Sequence, residues 1–483
     1  MMITKRRNAR NTRNRSTFFG YFAYFVHFAC FVFSCAVFSC ASWAAAPPPD
    51  PKVDAVFARF DSPESPGCAV AVIQNHRIAY ERGYGRASLE LDVPIAPDTV
   101  FDIGSTSKQF TALAVLLLER DGKLSLDDDV RRFVPEVPDY GRRITIRHLL
   151  SHTSGLRDYT DLMDLDGHET ADHTTELDAL EIVARQRGVN FAPGDDWRYS
   201  NTGFFLASVI VRRASGQSLA DFARERIFKP LGMSSTQFLD DTTRIVVRRA
   251  TAYSPRPGGG FRVNMSDWDQ TGDGAVQTTV EDLAKWDENF YSPKAGDARM
   301  LQAMQTAGTL NGGRPHEYGL GLVVDTSGGL KRVQHGGSWA GYRAQLTRFP
   351  ERQTSVIVLC NVSNAGPDVL AAEVAAAWLG EPGLLPPQRL IRAPETPPRR
   401  TPPPDETLRA LAGRYSAPDL TEPWTISVVN HELRVKIRKA ETEALTPLGE
   451  RTFSLHGFRI QFGDDDLTIT NRGVEKLRMT KMH

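Results

Sequence analysis

Phe101-Asp-Ile-Gly-Ser-Thr-Ser-Lys-Gln-Phe110 is the stretch from which the rest of the chain can be read. Within it, Ser105-Thr106-Ser107-Lys108 opens a strongly apolar helical run that predicts a helix from Thr106 to Arg120, stopping before Gly122. A spacing of three on a helix puts Ser105 and Lys108 on one face, one above the other. A helix N-terminus also offers free N–H groups and a dipole that favours developing negative charge. A serine hydroxyl is a poor nucleophile until a base takes its proton. A lysine can be that base if burial disfavours its charged form. Taken alone, the spacing is equally that of a capping serine beside a lysine whose stem lies along apolar surface.

Two further motifs change the weighing. Tyr199-Ser200-Asn201 follows a polar, Pro- and Gly-containing loop and precedes a helical pattern over Phe204 to Ala214. A phenol and an amide at such a junction can face one cleft, the phenol to move a proton and the amide to hold a substrate carbonyl. A packed tyrosine beside a capping asparagine is the plainer reading of those three residues. The third motif is His335-Gly336-Gly337-Ser338. Glycines in or beside a strand let another backbone or a ligand come close. The backbone N–H of Ser338, with that of Ser105, would then make a two-donor oxyanion hole; a turn is the alternative.

Three such motifs in this order form the kind of set found in β-lactamases and penicillin-binding proteins. The surrounding sequence agrees: Ile146-Arg-His-Leu-Leu-Ser-His-Thr-Ser-Gly-Leu156, Pro230-Leu-Gly-Met233 and Tyr318-Gly-Leu-Gly321. From about Pro66 to Asn361 the chain resembles the superfamily of class C β-lactamases, D-aminopeptidases and family VIII esterases. That resemblance implies an α+β fold, a five-stranded antiparallel sheet flanked by helices beside an all-helical subdomain, with a cleft between them. It implies Ser105 as nucleophile, Lys108 and Tyr199 as the proton-transfer pair, and Asn201 as a ligand for the substrate amide. His335 would take the place of a lysine that helps hold a substrate carboxylate. Histidine is a weaker, pH-dependent cation with an ordinary pKa of about 6.5, so the substitution points away from strong β-lactamase action. It points, with the trailing β-region described below, towards the D-aminopeptidase and esterase branches; in D-aminopeptidases, extra C-terminal β-domains help shape the site.

The chain of 483 residues is too long for one ordinary core. At 41% hydrophobic and 24% charged residues it has the balance of a folded protein. Its 58 basic and 58 acidic side chains leave no excess with which to bind nucleic acid. Residues 1–46 read as a signal peptide: Lys5, Arg6, Arg7, Arg10, Arg13 and Arg15, then an apolar run to about Trp43, then Ala44-Ala45-Ala46. The expectation is an exported protein, periplasmic or secreted, touching a membrane only through an uncleaved anchor. Lipidation at Cys40 and a twin-Arg signal are lesser alternatives. Residues 47–383 form the hydrolase-like body, 384–405 a Pro-rich linker, and 406–483 a small antiparallel β-domain with alternating runs such as Trp424–Val429. Within the body, hairpins are expected around Asn75-His76 and around Pro350–Gln353, with helices also over 179–187 and 280–289. Of five cysteines only Cys68 and Cys360 lie beyond the signal, and they are either one disulfide or two buried thiols.

Other chemistries find less support. No Gly-x-Ser-x-Gly elbow occurs. Asp161, Asp164, Asp166, His168, Glu169, Asp172 and His173 crowd one stretch, but His168 and His173 are five apart, not the four that places two ligands on one helical face. A solvated polar loop at the cleft rim is the expectation there, with no metal and no cofactor. Gly258-Gly-Gly260 lacks the Lys-Ser/Thr of a phosphate loop. A slow-acylating sensor or scaffold remains the non-enzymatic alternative. The substrate expected is a small molecule or short peptide, peptidoglycan fragments included; its identity and the oligomeric state are open.

Overall fold

The computed structural model describes residues 50–385, 403–438 and 441–482. The stretch read as a signal peptide and most of that read as a Pro-rich linker lie outside the described residues, and no helix among the described ones is long and apolar enough to cross a membrane.

The hydrophobic run at Cys68–Gln74 becomes a central strand whose alternate residues face opposite sides. Val70 and Val72 pack with Val53, Phe57, Leu370 and Val374 from the helices Pro51–Phe57 and Pro367–Leu379. Ala69, Ala71 and Ile73 belong to the larger core on the other side. Both faces are covered, so the strand is apolar throughout rather than alternating. The sheet has six antiparallel strands, in the order Val323–Ser327, Leu330–Trp339, Tyr342–Phe349, Thr354–Cys360, Cys68–Gln74 and Arg77–Tyr84. That is one more than the five expected. The extra edge strand forms because Gly328 and Gly329, both at positive φ, turn the chain back into a hairpin. Asn75 and His76, likewise at positive φ, make the tight turn of the first hairpin. Cys68 and Cys360 sit opposite each other on neighbouring strands and form a disulfide, which settles the choice left open by their number.

Between the two ends of the sheet, the chain builds helices around Lys108–Arg120, of which every residue from Lys108 to Leu118 is buried. Asn201–Ser215 packs against it. The expected helix start at Thr106 moves to Lys108, because Gly104–Ser107 forms a tighter 3₁₀ turn. Helix Glu176–Ala184 begins before 179 because Thr175 and Asp178 cap each other.

Residues 413–482 form a nine-stranded antiparallel sheet. Its two outermost strands, Glu443–Ala444 and Thr446–Pro447, are consecutive in the chain, so the sheet curls into a barrel-like form closed by the chain itself. The acidic stretch is not simply a solvated loop. Glu169, Asp172 and His173 are exposed, but the remainder meets this sheet. Asp161 accepts a hydrogen bond from Asn471, Asp164 faces His456, and Arg438 donates to His168. Buried Asp166 accepts from the backbone N–H groups of Thr421 (2.7 Å) and Glu422 (2.9 Å). The charges that resemble metal ligands in sequence are largely docking contacts in space.

Replacing Asp166 with alanine strands those two N–H groups in the interface. At about 1–3 kcal/mol for each unsatisfied donor, Asp166→Ala is expected to destabilise the protein by about 2–6 kcal/mol, read as a lowered urea midpoint.

Candidate active site

Ser105 lies in the 3₁₀ turn, half-buried, with Lys108 directly beneath it at the start of the central helix. The Lys108 Nζ donates to Ser105 Oγ (2.9 Å), Asn201 Oδ1 (2.9 Å) and the Asp273 carbonyl oxygen (2.7 Å). These three acceptors match the three N–H bonds of an ammonium. The side chain has no solvent access, and burial, opposed by the charges of Asp273 and Asp158, lowers its pKa to about 8. The ring of Tyr199 stands 4.9 Å from the same Nζ. Its hydroxyl is buried and comes near Ser105 without the geometry of a formed hydrogen bond. Burial pushes the phenol's pKa well above its ordinary value, opposed by Ser105 and helped by the charges of Asp273 and Asp158, so Tyr199 keeps its proton.

Ser338 closes the site from the sheet. It lies near the end of strand Leu330–Trp339, which runs so close to the turn carrying Ser105 that a Cβ on Gly337 would stand 1.8 Å from the Ile103 carbonyl oxygen. Gly104, at φ +49°, would in turn place a Cβ 2.7 Å from the Ser338 nitrogen. Ser105, Asn201 and Ser338 line one cavity of about 210 Å³, with Tyr159, Trp268 and Trp339 among its walls. Gly336 lies in the same strand, paired with Gln345.

His335 departs from its expected role. Its side chain is buried, Nε2 lies 2.9 Å from the Tyr318 hydroxyl and Nδ1 2.6 Å from the Gly336 carbonyl oxygen. Burial and the nearby Lys108 charge lower its pKa to about 3. The imidazole is therefore neutral at physiological pH and does not supply the cation expected for a substrate carboxylate. It packs instead in an aromatic group with Tyr199 and Tyr318. His152 joins that group, its ring 4.2 Å from that of Tyr199, and its Nδ1 accepts from the Ser200 N–H.

Several residues around the site escaped the sequence reading. Asp158 caps helix Tyr159–Leu165 and accepts from the Asn201 N–H (2.6 Å), which anchors the amide that in turn meets Lys108. An Asp ahead of a helical pattern was the available signal. Asp273 lines the cavity, and its carboxylate accepts from Tyr159. Burial, opposed mainly by Lys108, raises its pKa to about 6. Nothing local in the sequence marks Asp273, since its partners are far away in the chain. The C-terminal sheet meets this framework from behind. The carbonyl oxygen of Gly473 accepts from the Asp158 N–H (2.9 Å), and Glu475 pairs with Arg198 (2.9 Å). Among the described residues, none of 403–482 lines the cavity.

Gly337→Ala is expected to force the strand away from the nucleophile turn. Overpacking of this kind costs about 1–3 kcal/mol. The substitution should lower both the denaturation midpoint and the rate at which Ser105 is acylated, since the Ser338 amide moves with the strand.

Comparison with known proteins agrees with this geometry. The sequence profile of the beta-lactamase family matches residues 53–378. A penicillin-binding protein of Bacillus subtilis is 33% identical over 305 residues, covering 59% of this chain and 65% of that protein. A D-aminopeptidase of Gluconobacter oxydans is 30% identical over 330 residues, covering 68% of this chain and 61% of the relative. The chain thus spans a little under two thirds of the length of these curated relatives. The solved structure of an octameric penicillin-binding protein homologue from Pyrococcus abyssi superposes with a TM-score of 0.63 at 25% identity, over 89% of this chain and 99% of that one. With its family profile matched over more than half its length, the three motifs gathered in one cleft and the fold shared, the chain belongs to the beta-lactamase family.

Proposed function

We propose that this protein is an exported serine hydrolase that cleaves amide or ester bonds through an acyl-enzyme on Ser105. The observation that carries the reading is the hydrogen bond between Ser105 Oγ and a fully buried Lys108 whose pKa is lowered to about 8. A lysine so placed is neutral in an appreciable fraction near neutral pH and can take the serine proton. Ser105 Oγ attacks the substrate carbonyl carbon as its proton passes to Lys108. The backbone N–H groups of Ser105 and Ser338 hold the oxyanion. Tyr199, which keeps its proton, relays one to the departing amine or alcohol as the scissile bond breaks, and Asn201 orients the substrate amide. Water then attacks the ester on Ser105 and frees the acid. Gly336 and Gly337 let the substrate lie along the strand edge.

The substrates that fit best are peptides containing D-amino acids, with small esters next. The similarity to proteins named D-aminopeptidase and penicillin-binding protein supports this, and so does the neutral His335, which leaves a β-lactam carboxylate without the usual cation at that position. Hydrolysis of β-lactams is the second reading and a slow-acylating sensor the third. No metal or cofactor enters the mechanism, and no nucleic-acid partner is proposed.

Ser105→Ala is expected to abolish turnover of a D-alanine anilide, a short-chain ester and a chromogenic cephalosporin alike, with the urea midpoint kept; a variant retaining most of the activity overturns the mechanism. The pH profile has a definite sign. A base must be unprotonated, so kcat/KM should rise with pH through an acid limb near 8, the pKa of Lys108. A flat profile from pH 6 to 9 would remove Lys108 from that role.

A further inference from the structure

With His335 neutral and turned to Tyr318, the cleft lacks the cation expected of its third motif. Arg249 supplies one from another part of the chain. It lines the same cavity as Ser105 and Ser338, and among the described residues it is the one cavity-lining lysine or arginine; Asp102 and Asp273 are the acids. Its neighbours on the same loop are engaged elsewhere: Arg248 pairs with Asp98 and Arg244 with Asp240. No carboxylate of the described residues lies within ion-pairing distance of Arg249, and its Nε is buried with no hydrogen-bond partner. The buried Nε is closed to a ligand, which would meet the outer Nη groups of the guanidinium instead.

The residue is also held in place. Ala250 N–H donates to the Val100 carbonyl oxygen (2.9 Å), Val100 N–H to that of Arg248 (3.0 Å), and the Tyr342 hydroxyl to that of Ala250. The guanidinium carbon lies 6.0 Å from the centroid of the Tyr342 ring. Asp102, the acid on that side of the cavity, accepts from the Gly104 N–H and from Gln277, both at 2.7 Å, and the Arg249 charge also works against the burial that raises its carboxyl. Arg249 is thus a pre-positioned cation set beside Asp102 and Tyr342 but in no close ion pair, suited by its planar fork to a carboxylate.

We propose that Arg249 is the specificity-determining cation of this cleft and that the preferred substrates carry a carboxylate which it binds. The inference rests on the hydrolase reading above and adds to it the charge class of the substrate. The carboxylate can belong to either side of the scissile bond, and two matched pairs separate the cases. One pair is a D-alanyl ester of lactic acid and its lactamide counterpart, with the charge on the leaving group. The other is D-glutamyl and D-glutaminyl anilide, with the charge on the acyl side.

In one pair the wild-type protein is expected to favour the acid in kcat/KM by about tenfold to hundredfold, the worth of a hydrogen-bonded charge pair. Arg249→Gln should collapse that ratio, mainly through KM for the acid, and Arg249→Lys should keep part of it. A wild-type ratio near one in both pairs overturns the inference without recourse to any variant, and so does a ratio that Arg249→Gln leaves unchanged. Mass spectrometry of Ser105 separates the two levels. If none of the four compounds acylates it, the hydrolase reading falls and this inference with it. If they acylate it without regard to charge, only the role of Arg249 falls.

Discussion

The buried ammonium of Lys108 is the constraint on which the rest of the site depends. A charge with no access to water is tolerated only where fixed acceptors replace its hydration. Here those acceptors come from three separate parts of the chain: the nucleophile turn, the start of helix Asn201–Ser215 and the loop at Asp273. Bringing them together requires those three segments to converge beneath the cavity that Ser105 and Asn201 line. Incomplete compensation is as important as compensation. Burial outweighs the nearby carboxylates and leaves the lysine with a pKa of about 8 rather than its usual value, so the same desolvation that threatens stability is what the proposed role of Lys108 as base draws on.

Support for that centre extends outward in shells of hydrogen bonds. Asp158 fixes Asn201 through its backbone N–H, and Gly473 of the C-terminal sheet fixes Asp158 through its own. The C-terminal sheet therefore braces Asp158 and Asn201 from the rear, and among the described residues none of it lines the cavity. Its docking relies on polar side chains of the Asp158–His168 stretch, buried at the junction and matched by N–H donors from the other side. Such groups are costly when unpaired and specific when satisfied.

The family signature and the charge of the cleft part company at His335. The motif keeps its place in the strand, and its glycines keep the close approach to Ile103 and Gly104. The imidazole, however, is absorbed into an aromatic group with Tyr199, Tyr318 and His152. A cation displaced from one wall to another would preserve recognition of anionic substrates while changing their orientation relative to Ser105. Trp268 and Trp339, packed edge to face at 5.2 Å, form an apolar wall of the cavity.

Much of this was legible in the sequence because it is local or periodic. Helical spacing alone places Ser105 over Lys108, alternation and turn residues mark the hairpins of the sheet, and the short alternating runs after Glu406 announce a separate β-sheet. What the sequence left open depends on distance and desolvation. Cys68 and Cys360 pair because two strands 292 residues apart are neighbours. The acidic stretch reads as solvent-facing or metal-binding until the C-terminal sheet covers it. Asp273 and Arg249 carry no motif, and they enter the site only when loops fold over the helix. The charge of His335 is the plainest case. Its identity is written in the chain, but whether it is a cation is set by burial and by the Lys108 charge beside it. The sequence determined which groups the site contains, and the tertiary structure decided their protonation and partners, since both follow from the dielectric and the neighbours that only folding provides.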